Sequence, residues 1–128
     1  MSASPRLPLM IVDDDDDLRD TLADVMTAHG YEVAAFADAR AALAALEDGV
    51  TPFVILLDLM MPGMSGWEFR EAQLENPTLA LIPVVVVTAA GNLSGGARTF
   101  SSVEVLHKPF TLEILLALVA RYAAAPRG

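Results

Sequence analysis

The chain has 128 residues, is 54% apolar, and carries 8 basic against 17 acidic side chains, for a net charge of −9 and a pI near 4.4. This length suits one domain that buries roughly two-thirds of its unfolded surface, and the acidity argues against direct contact with nucleic acid or an anionic membrane. Lack of cysteine excludes a disulfide scaffold and thiolate metal sites; with no run near the roughly 20 apolar residues of a membrane span and no signal-peptide core, the reading is a cytoplasmic protein.

Short aliphatic runs alternate with segments of helical period, the pattern of a parallel sheet with crossover helices. Residues 7–12 read as strand one. Residues 16–29 read as a helix with Leu18, Leu22, Val25 and Met26 on one face, closed by Gly30. Residues 31–36 form strand two, and Asp38 can cap an Ala-rich helix over 39–46 that Gly49 ends. Strand three covers 53–58. The next helix runs over 66–75 and stops at Asn76-Pro77, and Pro83 opens strand four, 84–88. Gly91, Gly95 and Gly96 fall where a fourth helix belongs. Each glycine inside a helix costs about 1 kcal/mol relative to alanine, so a short or frayed helix is expected there. Strand five is placed at 103–106, and Thr111 can cap a final helix through Tyr122 with Leu112, Leu115, Leu116 and Val119 inward. The domain is thus read as 7–122, with 1–6 as a lead and 123–128 as a frayed tail or the start of a linker.

Chemistry gathers at the strand ends. Asp58 terminates the apolar run Phe53-Val54-Ile55-Leu56-Leu57, and a lone buried carboxylate costs several kcal/mol, so it needs a partner or a task. Strands one and three are apolar throughout rather than alternating, which makes them central, covered on both faces. Open parallel sheets bind ligands beyond the carboxyl ends of their strands where the strand order reverses; for five strands in the order 2-1-3-4-5 that place lies between strands one and three. Asp13 and Asp14 follow Val12 directly. Neighbouring strands lie about 4.8 Å apart, so Asp13, Asp14 and Asp58 converge. At about 5 Å and an effective dielectric near 20, each carboxylate pair repels by roughly 3 kcal/mol. A cation relieves this. With oxygen ligands only, Mg2+ is favoured over zinc or copper, with Mn2+ as the alternative.

The remaining charges sort by position. Asp15, Asp16 and Asp17 read as solvated charges at a helix N-terminus. Lys108 is the sole lysine, next to Pro109, and reads as a site residue; Thr88 ends strand four. His29 and His107 have no metal-ligand spacing and read as structural, and Met60, Met61 and Met64 read as loop and core filler.

Four segments, IVDDDDDLRDTL, ILLDLMMPGMSGWEF, VVVVTAA and VLHKPF, resemble in order and spacing the signature segments of the response-regulator receiver domain of two-component signalling. The resemblance covers about 7–121. It implies a flavodoxin-like α/β fold, a doubly wound five-stranded parallel sheet of order 2-1-3-4-5 with helices on both faces. It further implies Asp58 as phosphoacceptor and Mg2+ held by Asp13, Asp14, Asp58 and the Met60 backbone carbonyl. Thr88 and Lys108 would bind the phosphoryl group, with Ala89 and Pro109 as backbone support and a cis Lys108-Pro109 bond. The implied partners are a histidine kinase or phosphotransfer protein and a downstream target or an output domain missing from this chain, with the domain itself a monomer or weak dimer. Output would run through the face formed by strand four, the helix after it and strand five. Many receivers carry Tyr or Phe three residues before the lysine, whereas this chain has Val105, an altered switch position for which Phe100 is a spatial substitute to consider.

Other classes fit less well. Five aspartates stand where a dinucleotide fold needs a Gly-rich turn, and no Walker-type motif occurs. An aspartate-nucleophile phosphatase usually carries a second aspartate two residues beyond the first, where this chain has Met60. A receiver-like interaction module that signals without phosphate predicts a missing acidic residue or lysine, and none is missing.

Overall fold

The computed structural model describes residues 7–89 and 104–124, and the order of elements follows the alternation of the sequence. Strand β1 is Leu9–Val12, helix α1 Asp16–Ala28, β2 Val33–Phe36, α2 Ala39–Glu47 and β3 Val54–Asp58. Helix α3 is Gly66–Glu75, a 3-10 turn spans Leu79–Leu81, β4 is Val84–Thr88, β5 Glu104–His107 and α4, the final helix, Leu112–Ala124. All strand pairs are parallel, in the order β2-β1-β3-β4-β5. The expected helix over 91–96 and the alternative switch residue Phe100 lie outside the described residues.

Alternation along the strands splits the core into two layers. Met10, Val12, Ile55, Leu57, Val84 and Val86 pack on one side against Ala39, Ala42 and Leu46 of α2 and Phe69 of α3. Leu9, Ile11, Val54, Leu56, Val85 and Val87 pack on the other against Leu22 and Met26 of α1 and Leu115, Leu118 and Val119 of α4. Every residue of β1, β3 and β4 is buried, while β2 and β5 are partly exposed edges. That is the outcome expected of unbroken apolar runs, which need a helix on each face.

Local chemistry fixes the helix starts. Asp15 caps α1 by accepting from the Leu18 amide at 3.1 Å, Asp38 caps α2 by accepting from Ala41 at 2.8 Å, and the Thr111 hydroxyl accepts from Ile114 at 3.2 Å. Some boundaries differ from the sequence reading. Strand β1 begins at Leu9 rather than Leu7 and β2 at Val33 rather than Tyr31, because parallel pairing of Leu9 with Val33 and Val54 sets the ladder's start, not apolar character. Strand β5 reaches His107, one residue further than expected, since Thr88 at the end of β4 still finds it as a partner. Helix α4 continues through Ala124, and its inward face is Leu115, Leu118 and Val119. Leu112, read as inward, is 41% exposed because it opens the helix ahead of the sheet-facing turn.

Two polar ties anchor the periphery. The Tyr122 hydroxyl donates to Glu104 Oε1 at 2.9 Å and the Arg121 guanidinium donates to Glu104 Oε2 at 2.7 Å, joining α4 to the edge strand β5. Burial, with the Glu104 carboxylate adding to it, raises the pKa of the Tyr122 phenol. On the opposite layer Gln73 is fully buried, and its side-chain amide donates to the carbonyls of Leu79 at 2.8 Å and Ile82 at 3.0 Å while accepting from Arg70 at 2.9 Å. These bonds hang the 3-10 turn from α3 and so set where β4 enters the sheet. Gln73→Ala removes the donor to two carbonyls and opens a void. A loss of about 2–4 kcal/mol is expected, read as a lower urea midpoint at unchanged slope.

Candidate functional site

Three carboxylates meet at the carboxyl rim of the sheet. Asp13 follows β1, Asp58 ends β3, and the pairing of Val12 with Leu57 sets their two tips side by side. By strand alternation Asp13 continues the row of Leu9 and Ile11, and Asp58 that of Val54 and Leu56, so both belong to the layer that faces α1 and α4. Asp13 and Asp58 are buried, Asp14 is exposed, and one oxygen from each of the three lies within 4.8 Å of the others. All donors in this cluster are hard carboxylate oxygens. They fit a hard divalent cation such as Mg2+ and offer nothing to a metal that prefers sulfur or imidazole.

Each member is held by its surroundings. The Asp13 amide donates to the Phe36 carbonyl at 3.1 Å, so the first residue beyond β1 is still tied to β2. Its Oδ1 accepts from the Asp15 amide at 2.9 Å, and its Oδ2 lies 3.3 Å from the Lys108 ammonium. The side chain of Lys108 is 23% exposed, and from the end of β5 it reaches across the tips of β4 and β3 to the aspartate that follows β1. Asp58 Oδ1 accepts from the Met60 amide at 3.3 Å. Burial pushes the Asp58 carboxyl up from 3.8 to about 6, and the charge of Asp13 adds to the rise; Lys108 and the Met60 amide pull it partly back, and Asp14 adds a smaller upward push.

The other predicted positions divide. Thr88 is wholly buried, and its carbonyl accepts from the Lys108 amide at 2.9 Å, which fixes the lysine beside the end of β4. Ala89 follows, exposed, and the Lys108-Pro109 bond is cis. Val105 is partly buried against the α2 and α3 layer, on the opposite side of β5 from the row that leads to Lys108. Met61 is buried and Met64 partly so, whereas Met60 is 61% exposed, a loop residue pointing outward between the buried Leu59 and Met61, so of the three read as loop and core filler Met60 takes the loop part. His29 bonds its ring nitrogen to the Val25 carbonyl at 2.9 Å, and His107 is exposed at the end of β5.

The response regulator receiver domain family matches residues 9–120. This chain belongs to that family. Among curated relatives, nodulation protein W of Bradyrhizobium diazoefficiens is 34% identical over 122 residues, covering 92% of this chain and 52% of the relative. The DNA-binding transcriptional regulator NtrC of Salmonella typhimurium is 32% identical over 114 residues, covering 87% of this chain and 24% of the relative. The chain thus spans about a quarter to a half of the length of these relatives. Among solved structures, chemotaxis protein CheY4 of Vibrio cholerae superposes with a TM-score of 0.81 at 28% identity, covering 92% of this chain and 99% of that one.

Within this receiver domain, three supports escaped the sequence reading. Arg19, on α1, donates from Nη1 to the Asp13 carbonyl at 2.8 Å and from Nη2 to Asp16 at 2.5 Å. Its signal was faint, an arginine six residues past a site aspartate. Gly66 opens α3 against the loop that leaves β3: a Cβ there would sit 2.6 Å from the Asp58 carbonyl oxygen and 2.7 Å from Leu59 Cα. A glycine in the first turn of a helix, where no left-handed backbone is needed, was the legible hint of close approach. Ser65 and Glu68 form a reciprocal capping box at the same helix end, a pattern readable as Ser-x-x-Glu.

The raised Asp58 value carries a stability consequence. Its folded pKa lies above the unfolded one, so its contribution is fully favourable below about pH 4 and is lost as pH climbs through about 6. In metal-free buffer Asp58→Asn, which keeps the shape without the charge, is expected to exceed the parent in stability by about 1–2 kcal/mol near pH 7.5, allowing for solvent screening. The gap should close near pH 4. Urea titrations at both pH values check this, and an equal gap at each would refute it.

Proposed function

We propose that this receiver domain accepts a phosphoryl group on Asp58 from the phosphohistidine of a histidine kinase or phosphotransfer protein in the cytoplasm. The observation that carries this reading is the cluster of three carboxylates within 4.8 Å of one another, with the Lys108 ammonium 3.3 Å from one of them. Such crowding of like charge is costly unless cations share it. The receiver unit proposed is 7–122.

Asp13, Asp14, Asp58 and the Met60 carbonyl would hold Mg2+, or Mn2+ in its place. When bound, the ion supplies neutralisation of the charge on the transferring oxygens. The Asp58 carboxylate attacks phosphorus with an oxygen lone pair, while the phosphorus–nitrogen bond of the donor breaks with its electron pair left on the imidazole, which then takes a proton from water. The product is an acyl phosphate. The bond from the Met60 amide to Oδ1 limits rotation of the nucleophilic carboxylate and favours in-line geometry, on which phosphoryl transfer chiefly depends. Lys108, tied to Thr88 through its own amide, sits where its ammonium can turn from Asp13 toward phosphoryl oxygens. Later attack of water on phosphorus releases inorganic phosphate and restores the carboxylate, so the domain assists both halves of its own cycle.

The acyl phosphate brings more negative charge and further acceptor oxygens than the aspartate it replaces. Thr88 and Lys108 are the groups that respond, with Ala89 and Pro109 shaping the backbone beside them. Because they end β4 and follow β5, the signal passes to the face made by those strands and the segment between them, where Val105 replaces the family's aromatic switch. The receiving surface is that of a protein target or an output domain.

Incubation with Mg2+ and acetyl phosphate, followed by intact-mass analysis, is expected to add one phosphoryl group to the parent chain and none to Asp58→Asn. Equal labelling of both moves the reading to another residue, and labelling of neither removes it. A second expectation concerns output: amide resonances of Thr88, Ala89 and β5 should move on phosphorylation more than those of β2. Unchanged spectra along β4 and β5 would overturn the proposed signalling face.

A further inference from the structure

One charged side chain at the acidic rim belongs neither to the carboxylate cluster nor to the lysine opposite it. Arg19 lies in the first turn of α1, three residues before the buried Leu22 and seven before the buried Met26 and so on their face of the helix, and its side chain is only 15% exposed because it folds back under the turn that joins β1 to the helix. Nη1 donates to the Asp13 main-chain carbonyl at 2.8 Å, Nη2 donates to Asp16 Oδ1 at 2.5 Å, and the Arg19 backbone amide donates to the Asp15 carbonyl at 2.9 Å.

The Asp13 carbonyl is a sensitive point. The β1 ladder ends with the Val12 pairings, so this carbonyl is the first beyond the sheet. A peptide unit is planar; fixing the carbonyl therefore fixes the plane that also carries the amide of Asp14. Asp13 has its side chain held by the Asp15 amide and Lys108. Asp14 is exposed, and the direction of its carboxylate follows from the backbone on either side. The fork of the guanidinium, closed on Asp13 at one tine and on Asp16 at the other, ties that backbone to the start of α1.

We infer that Arg19 is a positioning residue for the divalent-cation site, holding the Asp13-Asp14 peptide so that both carboxylates stand at the spacing a metal requires. This rests on the proposed reading of Asp13, Asp14 and Asp58 as a metal site. Positioning and simple charge act with opposite sign. As a bystander cation, Arg19 repels a divalent ion, so removing its charge would tighten binding. As a positioning residue its removal loosens the ligands, and partners that orient metal ligands typically cost about 10–100-fold in affinity when lost.

The test uses the full unphosphorylated chain and Mn2+ alone, with free Mn2+ counted by electron paramagnetic resonance. The comparison is between the parent, Arg19→Met and Arg19→Lys, each first shown by circular dichroism to be folded. Arg19→Met is expected to bind about 10-fold or more weakly. Arg19→Lys keeps the charge and can keep one bond, and is expected to fall between the two. Unchanged or tighter binding by Arg19→Met overturns the inference while leaving the metal site standing. Absence of Mn2+ binding by the parent itself overturns the site and the inference together. If Arg19→Met does not fold, Arg19→Lys decides: affinity equal to the parent overturns the role, and a clear loss at unchanged charge supports it.

Discussion

The side-by-side parallel pairing of β1 and β3 is the constraint on which this molecule depends, because it forces Asp13 and Asp58 together at one rim. Two carboxylates at the tips of adjacent buried strands cannot separate without breaking the ladder. The fold therefore carries a cost at this point: burial first, and the neighbouring Asp13 charge second, raise the Asp58 carboxyl to about 6. A cation placed among the three carboxylates would relieve that cost.

Around this pair the structure places supports rather than further reactive groups. Among the described residues Lys108 bonds Asp13 rather than Asp58, so one carboxylate is paired by an ammonium while the other accepts from the Met60 amide. The asymmetry leaves the two buried carboxylates in different surroundings, with Lys108 in direct contact with Asp13 and acting on Asp58 only through its charge. Gly66 lets α3 approach the backbone just past Asp58, and the Ser65–Glu68 box fixes that helix start. Arg19 does the comparable work on the β1 side. The loops after β1 and β3 are thus each tied to the head of a helix, and helices buried against the sheet are stiff platforms for them.

Edge strand β5 is held differently on its two faces. Val105 packs against the α2 and α3 layer with no aromatic ring to swing, whereas Glu104 beside it is clasped by Arg121 and Tyr122 of the last helix. Among the described residues, edge strand β5 is therefore held on the α4 side by these polar bonds and by the packing of Leu106, and on the other side by Val105. Any movement conveyed through this strand must work against that clasp.

Much of this was legible beforehand because the signals were local. Unbroken apolar runs mark β1, β3 and β4 as buried on both faces, and Asp38 and Thr111 announce helix starts through the ordinary chemistry of capping. The rim aspartates follow from their register at strand ends. Sequence could not set the starts of β1 and β2, the exposure of Leu112 and Met60, or the reach of β5, since each depends on which partner lies alongside. Nor could it find the Arg19 fork, the contact of Gly66 with Asp58, or the choice of Asp13 as the partner of Lys108. Periodicity and residue type, being properties of a chain segment and its nearest turns, determined the layers, their order along the chain and the acids at the strand tips. Distances between groups far apart in sequence were decided only by tertiary packing, because a hydrogen bond or ion pair is set within tenths of an ångström by how helices seat on the sheet.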